Sequence, residues 1–304
     1  MNDWRAQAIG GMETALMLWE ACCIPSMLHG AGTWVEINTA TENKLNNLQH
    51  WFVRLALRLG QGSPVASLLW DTSLLDMSLR IWREKLMMVI HLRSLDETTL
   101  ARRVYEEQKD KDWPGLAKET KNICLKLNIE DCNITQIGKT KYREYVTQAC
   151  HIVNEERLRS AASDIKCARI ATEKYGRKEY LTHKNIGDTR KVFRARFGLT
   201  DFAGNYTHNR KFAKSDWLCL CQQSNESESH LLSGKCIVYG DLKESFGDLK
   251  EDDNLVSFFT AVLDRRDYIE EEESSVYDTL GASSVSGYTG IRTRRLGDSN
   301  SRAD

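Results

Sequence analysis

Four residues with metal-binding side chains lie close together in the stretch 217–236, WLCLCQQSNESESHLLSGKC. They are Cys219, Cys221, His230 and Cys236. Three thiolates and one imidazole complete the tetrahedral shell of a structural zinc ion, which holds a local fold together and leaves no open position for catalysis. We therefore predict a structural zinc site in a small knuckle at 217–240. The alternative is that these residues are ordinary reduced thiols flanking a surface loop.

The backbone must bring these four side chains together. Side chains at i and i+2 of an extended segment share a face, so an extended segment would place Cys219 beside Cys221. Residues six apart on a helix point about 240° apart around its axis, so His230 and Cys236 can meet only if the chain turns between them. We expect Gly234 to permit that turn, and the polar loop 222–229 to span the knuckle.

Known catalytic patterns are missing from the sequence. It contains no G-x-x-x-x-G-K-[ST], no H-E-x-x-H and no G-x-S-x-G. The adjacent acids Asp252 and Asp253 could suggest a paired-carboxylate metal site, but they precede an amphipathic helix, where acids cap free backbone N–H groups. We predict no catalytic residue.

Charge is sorted into blocks, although the formal net charge of the chain is only −1. Residues 166–214 hold 13 basic and four acidic residues with aromatic residues between them, whereas 241–278 hold 13 acidic and four basic residues. Cations that follow a phosphate backbone and rings that stack on unpaired bases produce the first composition. We predict that this basic-aromatic segment binds nucleic acid through Arg190, Lys191, Arg194, Arg196, Arg210 and Lys211. An amphipathic surface whose rings pack inward explains the composition equally well.

The rest of the chain is predicted to be mainly α. Prolines occur only at positions 25, 64 and 114, so the residue that most strongly breaks helices is absent from most of the chain. We predict a helix over 39–59 that buries Leu45, Leu48, Phe52, Leu55 and Leu59. A second helix over 78–94 is predicted to bury Ile81, Leu86, Val89 and Ile90. Further helices are expected over 138–175 and from about 252 onward.

These patterns suggest six consecutive regions. They are a thumb-like, tryptophan-rich helical region at 1–112, a helical connector at 113–165, the basic-aromatic segment at 166–216, the zinc knuckle at 217–240, an acidic helical segment at 241–273 and a disordered tail at 274–304. The sequence lacks an apolar run of about 18 residues and an N-terminal secretory pattern. We expect an intracellular protein of the nucleus or cytoplasm with no membrane partner.

Residues 22–70 resemble the segment that follows the polymerase palm in reverse transcriptases of non-LTR (LINE-type) retrotransposons. That family has Pro, then Leu-Tyr-Gly and Trp, followed by a helix of the kind LxxLQxxFxRxxLxLPxxxPxxxL. Matching positions are Pro25, Leu28, Gly30, Trp34, Leu45, Leu48, Gln49, Phe52, Arg54, Pro64 and Leu68, and His29 stands where Tyr is common. The stretch RKVFRARFGLTDFAGNY and the Cys-Cys-His-Cys pattern after it resemble the basic segment and terminal knuckle of such polyproteins. The interval from His230 to Cys236 is one residue longer than in that family.

The resemblance implies a nucleic-acid-binding C-terminal fragment that does not polymerise alone. The family's catalytic aspartates lie in a palm with an aromatic-x-Asp-Asp motif, which would precede Met1, and KEDD at 250–253 is not that motif. The thumb-like helices would cradle template and primer, with Arg54 and Arg58 as candidate phosphate contacts, and the knuckle would bind RNA or DNA. Both arginines could equally belong to a solvated face. The competing hypothesis is a helical structural or interaction protein, or a remnant without a selected role, in which the two charge blocks face each other.

Overall fold

A computed structural model describes residues 11–34, 37–57, 59–60, 63–129, 138–165, 172–182, 186–200, 202 and 217–279. This part of the chain is mostly helical and has no β-strand, which confirms the mainly α prediction. The chain divides into two compact units, Met1–Arg190 and Lys191–Asp304. No helix among these residues is long and apolar enough to cross a membrane.

The N-terminal unit is a group of packed helices. They are α1 Met12–Leu18, α2 Ile24–Met27, α3 Thr39–Leu57, α4 Val65–Thr72, α5 Met77–Ser94, α6 Leu100–Asp110, α7 Leu116–Leu127 and α8 Lys139–Ile165. A π-helical turn at Trp19–Cys23 joins α1 to α2, and 3₁₀ turns lie at Ala31–Thr33 and Glu179–Thr182. Helix α9, Ile186–Arg196, crosses the division between the units.

Helix α5 is the centre of this unit. It contacts the 3₁₀ turn at Ala31–Thr33 and helices α3, α6, α7 and α8. The predicted inward residues Ile81, Leu86, Val89 and Ile90 are all buried, so that prediction is confirmed. The side chain of Asp76 accepts a hydrogen bond from the Ser78 N–H and caps the start of the helix. A buried Lys85 also forms an ion pair with Glu119 of α7.

Helix α3 forms as predicted, but its predicted buried face is wrong at two of the five positions, while Leu45, Phe52 and Leu59 are half-buried. Leu48 and Leu55 are exposed, and the buried residues are Gln49, Val53 and Leu57. The Gln49 amide fixes this orientation because it donates to the Leu75 carbonyl oxygen (3.0 Å) and accepts from the Trp19 indole (3.4 Å). Leaving a buried amide unsatisfied would cost about 1 to 3 kcal/mol, so these two partners make the burial of Gln49 tolerable.

The predicted boundary at residue 112 falls inside the N-terminal unit, and helices on both sides of it belong to that unit. Helix α6 packs on α5 and α7, and α8 packs on α4, α5 and α7. The stretch 111–115 is only a short turn between α6 and α7. The predicted connector at 113–165 therefore supplies part of the core, including Ile123, Tyr142 and Val146.

The C-terminal unit contains the short helices α10 Glu228–Leu232 and α11 Gly240–Ser245 and the long helix α12 Asp252–Thr279. Its core joins Phe202, Leu231 and Tyr239 to a row of apolar residues on α12, namely Leu255, Phe258, Phe259 and Val262. Helix α12 ends at Thr279, so it includes 274–279 of the predicted tail. The remainder of that predicted tail, 280–304, lies outside the described residues.

Candidate metal centre

The first half of the knuckle is a tight loop closed by backbone hydrogen bonds. Cys219 N–H donates to the Ser224 carbonyl oxygen (2.8 Å), and Glu226 N–H donates to that of Trp217 (2.7 Å). Gln222 N–H donates to the Cys219 carbonyl oxygen (2.8 Å), and Gln222 has a positive φ of 58°. Cys219 and Cys221 are therefore brought together by a turn and not by an extended segment.

The second half presents the other two ligands from a short helix and the turn after it. Ser227 caps α10 by accepting a hydrogen bond from the His230 N–H (3.4 Å). Gly234 then has φ 71°, a left-handed conformation that glycine adopts without strain. This confirms the predicted turn between His230 and Cys236. A further turn follows, closed by a hydrogen bond from the Gly240 N–H to the Cys236 carbonyl oxygen (2.7 Å).

These two halves bring all four predicted ligands to one point. Their sulfur and imidazole nitrogen atoms all lie within 4.8 Å of one another. The Cys219 and Cys236 Sγ atoms are 3.6 Å apart, and the Cys221 Sγ lies 3.3 Å from the His230 Nε2. The three cysteines are buried and the histidine is half-buried. This group could hold one metal ion.

Backbone N–H groups point at two of the sulfur atoms. The Cys221 N–H donates to the Cys219 sulfur, and those of Gln223 and Ser224 donate to the Cys221 sulfur. Burial alone would raise the pKa of the Cys221 thiol, but these N–H groups and the neighbouring thiols of Cys219 and Cys236 outweigh it and lower that pKa. Burial raises the pKa of the Cys219 thiol. The loop thus favours a thiolate, the form that binds metal, at Cys221.

An ion pair connects the ligand loop to helix α12. The Glu226 carboxylate, which is 1% exposed, lies 3.3 Å from the Arg266 guanidinium, which is 13% exposed. Tyr239 is buried in the same cluster as the three cysteines. Sequence reasoning missed these three residues, because nothing in the pattern separates Glu226 from Glu228 in the polar loop. Only the folded chain brings α12 to the knuckle.

The predicted phosphate contacts of the N-terminal unit hold the end of helix α3. The Arg54 guanidinium donates to the Ser63 carbonyl oxygen (2.8 Å), and burial lowers its pKa. Arg190 Nε donates to the Leu57 carbonyl oxygen (2.8 Å). Both side chains are half-buried, and Arg58 lies outside the described residues. A role of these arginines in phosphate binding stays a prediction.

The predicted basic residues of the C-terminal unit have different environments. Lys191 is exposed and Arg194 is half-buried. Arg196 is buried and forms an ion pair with Asp252 at the start of α12, with Nη1 2.8 Å and 3.0 Å from the two carboxylate oxygens. Arg196 is therefore engaged within its own unit. Arg210 and Lys211 lie outside the described residues.

The described rings of the basic-aromatic segment face inward. Tyr180, Phe193 and Phe202 are buried, and Tyr175 and Phe197 are half-buried. Tyr180 donates a hydrogen bond to Asp71 (2.7 Å), and Tyr175 accepts one from Asn154 (2.8 Å). Base stacking needs an exposed ring face, so the buried rings among these are core residues. Tyr206 and Phe212 lie outside the described residues.

Comparison with known proteins identifies no relative of this chain. The chain matches no family model, no curated protein and no solved structure. The likeness to non-LTR retrotransposon reverse transcriptases therefore stays a prediction that depends on the motifs quoted above.

Proposed function

We propose that Cys219, Cys221, His230 and Cys236 hold a structural zinc ion that stabilises the C-terminal unit. The observation that carries this proposal is the convergence of the four predicted ligand atoms within 4.8 Å. Tetrahedral zinc, with bonds of about 2.3 Å to sulfur and about 2.0 Å to nitrogen, separates its ligand atoms by roughly 3.5 to 3.8 Å. The separations of 3.6 Å and 3.3 Å are close to that range.

Four protein ligands complete the shell of this ion, so its role is structural. A bound metal would add free energy to the ordering of this loop, because the site does not exist in the unfolded chain. Metal analysis of the purified protein at neutral pH under reducing conditions should give one equivalent of zinc. A zinc content below about half an equivalent would contradict the proposal and indicate that the cysteines are ordinary reduced thiols.

We propose further that the chain is a nucleic-acid-binding C-terminal fragment of a non-LTR retrotransposon reverse transcriptase. It would bind template or element RNA without polymerising. One support is the order of the thumb-like motif, the basic segment and the metal-ligand set along the chain, which is the order in that family. The other is that the four ligand atoms of the set lie close together in space. Of the predicted contacts described, Lys191 is the exposed one, so it is the residue with which to test phosphate binding.

Fluorescence anisotropy with a labelled single-stranded RNA tests this proposal. We expect the affinity to fall steeply with salt, because each neutralised phosphate releases counterions. Lys191→Glu should weaken binding and lower the slope of log affinity against log salt by about one. Lys139→Glu, the same change at an exposed position outside the predicted contacts, is the matched control. No measurable affinity would contradict nucleic-acid binding, a salt-insensitive affinity would remove the argument from phosphate contacts, and equal effects of the two variants would exclude Lys191 as a contact.

A second candidate is a helical structural or interaction protein with no nucleic-acid role. The pair of buried Arg196 and half-buried Asp252 favours it, because a residue of the basic block is paired with one of the acidic block inside a single unit. Arg196→Asp should destabilise the C-terminal unit by about 3 kcal/mol, since it leaves buried charge without a partner. If the paired change Arg196→Asp with Asp252→Arg restores stability and RNA affinity never changes, this second function is favoured.

A further inference from the structure

Tyr239 places a polar group in the core beside the metal ligands. Its side chain is 1% exposed, and its hydroxyl is buried without a hydrogen-bond partner among the described residues. An unsatisfied buried hydroxyl costs about 1 to 3 kcal/mol, so its presence in a core calls for a partner that appears when the site is filled. Phenylalanine would occupy the same volume without this cost.

The position of Tyr239 is fixed by the ligand loop itself. It follows Cys236 by three residues, within the turn closed by the Gly240 N–H and the Cys236 carbonyl oxygen. It belongs to the same buried cluster as Cys219 and Cys236. A tyrosine hydroxyl ordinarily keeps its proton at neutral pH, so it is available as a hydrogen-bond donor.

The charge of a filled site supplies the missing acceptor. A divalent ion bound by three thiolates and a neutral imidazole leaves a net charge of −1 in a buried place, which needs hydrogen-bond donors around the sulfur atoms. Backbone N–H groups donate hydrogen bonds to the sulfur atoms of Cys219 and Cys221. The nearby Glu226 carboxylate is already paired with Arg266, so it competes less for the tyrosine hydroxyl.

We propose that the Tyr239 hydroxyl donates a hydrogen bond to the sulfur pair of Cys219 and Cys236 when a metal ion is bound. Tyr239 is a positioning residue, because it acts on the metal through its ligands. This inference rests on the proposed metal site. The Tyr239 hydroxyl is a buried donor without an acceptor among the described residues, and a metal-bound thiolate can accept more than one hydrogen bond.

Cobalt(II) replaces zinc as a spectroscopic probe for the test. A hydrogen bond withdraws electron density from a sulfur lone pair and raises the energy of the sulfur-to-cobalt charge-transfer band in the near ultraviolet. Tyr239→Phe should move this band to longer wavelength while the visible bands still report a tetrahedral three-sulfur site. Zinc affinity should fall by about tenfold, the usual cost of losing an outer-shell partner. Tyr145→Phe in helix α8 of the N-terminal unit makes the same chemical change and should leave both unchanged.

The outcomes separate this inference from the metal site. If the wild-type protein binds no cobalt, both proposals fail. If it binds cobalt and the charge-transfer bands of Tyr239→Phe and wild type coincide, the metal site stands and the role of Tyr239 is refuted, for instance because its hydroxyl donates to Glu226.

A measurement on the wild-type protein covers the case in which Tyr239→Phe does not fold. With cadmium-113 in the site, the buried hydroxyl proton should show a scalar coupling to the metal through the O–H···S bond. A folded, cadmium-bound protein without a coupled hydroxyl proton would overturn the inference.

Discussion

At the scale of residues, the candidate metal ligands are identified first by their sulfur and imidazole nitrogen atoms and then by the short distances between those atoms. Cys236 was the ligand with the less usual spacing, yet its Sγ lies 3.6 Å from that of Cys219. The left-handed turn at Gly234 accommodates the longer interval after His230. A one-residue difference in spacing can thus be absorbed by the backbone without losing the site.

Cys236→Ser tests whether that proximity means ligation. We expect zinc affinity to fall by more than the tenfold to hundredfold, roughly, that accompanies loss of an outer-shell partner, because a hydroxyl replaces one of four metal bonds. Competition with a chromophoric chelator measures this change. Cys22→Ser, at an exposed cysteine of the N-terminal unit, is the control and should bind zinc normally. Full zinc affinity in Cys236→Ser would reduce the set to three ligands.

At the scale of elements, helix α5 organises the N-terminal unit through close contacts that tolerate little change. The 3₁₀ turn at Ala31–Thr33 packs directly on it. A Cβ atom added at Gly32 would lie 2.9 Å from the Met88 Cβ and 3.0 Å from the Glu84 carbonyl oxygen. Both neighbours belong to the helix itself, so neither can move without shifting α5.

Gly32→Ala should therefore destabilise the N-terminal unit by about 2 kcal/mol through overpacking. Urea unfolding followed by tryptophan fluorescence measures the change, because most of the tryptophans lie in this unit. Gly60→Ala is a matched control, since a Cβ there meets nothing within 4 Å. The control should stay within about 0.5 kcal/mol of wild type. Equal unfolding midpoints for the two variants would contradict the close packing of this turn.

At the scale of the whole molecule, the proposed metal ion would stabilise one unit only. All four ligands lie in the C-terminal unit, and the ligand loop is tied to α12 by Glu226–Arg266 and by a shared apolar core. The N-terminal unit has its own core around α5. Removing the metal should thus affect one core and spare the other.

Hydrogen exchange before and after treatment with a chelator checks this expectation. We expect faster exchange at 217–240 and along 255–262 of α12, because a ligand stabilises only the structure that binds it. Amides of α5 should exchange at unchanged rates, and zinc added back should restore the original pattern. Faster exchange throughout α5, or no change in the knuckle, would be inconsistent with a structural metal confined to the C-terminal unit.

Sequence alone determined the mainly α class, helix α5 with its buried face and the identity of the four candidate metal ligands. These depend on local features: helical periodicity, few prolines, and atom types at short spacing. The turn at Gly234 was predictable for the same reason, because the requirement that His230 and Cys236 meet acts over a few residues.

Only the tertiary structure decided which faces are buried and which charges are available. Gln49 lies on the buried face of helix α3, where its amide is hydrogen-bonded to Trp19 and Leu75. Both partners are distant from it in sequence, so the helical pattern does not predict this face. Arg196 is paired with Asp252, 56 residues away, and the described rings of the basic-aromatic segment pack inward. Tyr239 and Glu226 lie beside the candidate metal ligands because helix α12 packs against the ligand loop. Such contacts depend on which distant segments pack together, and neither helical periodicity nor composition predicts that packing.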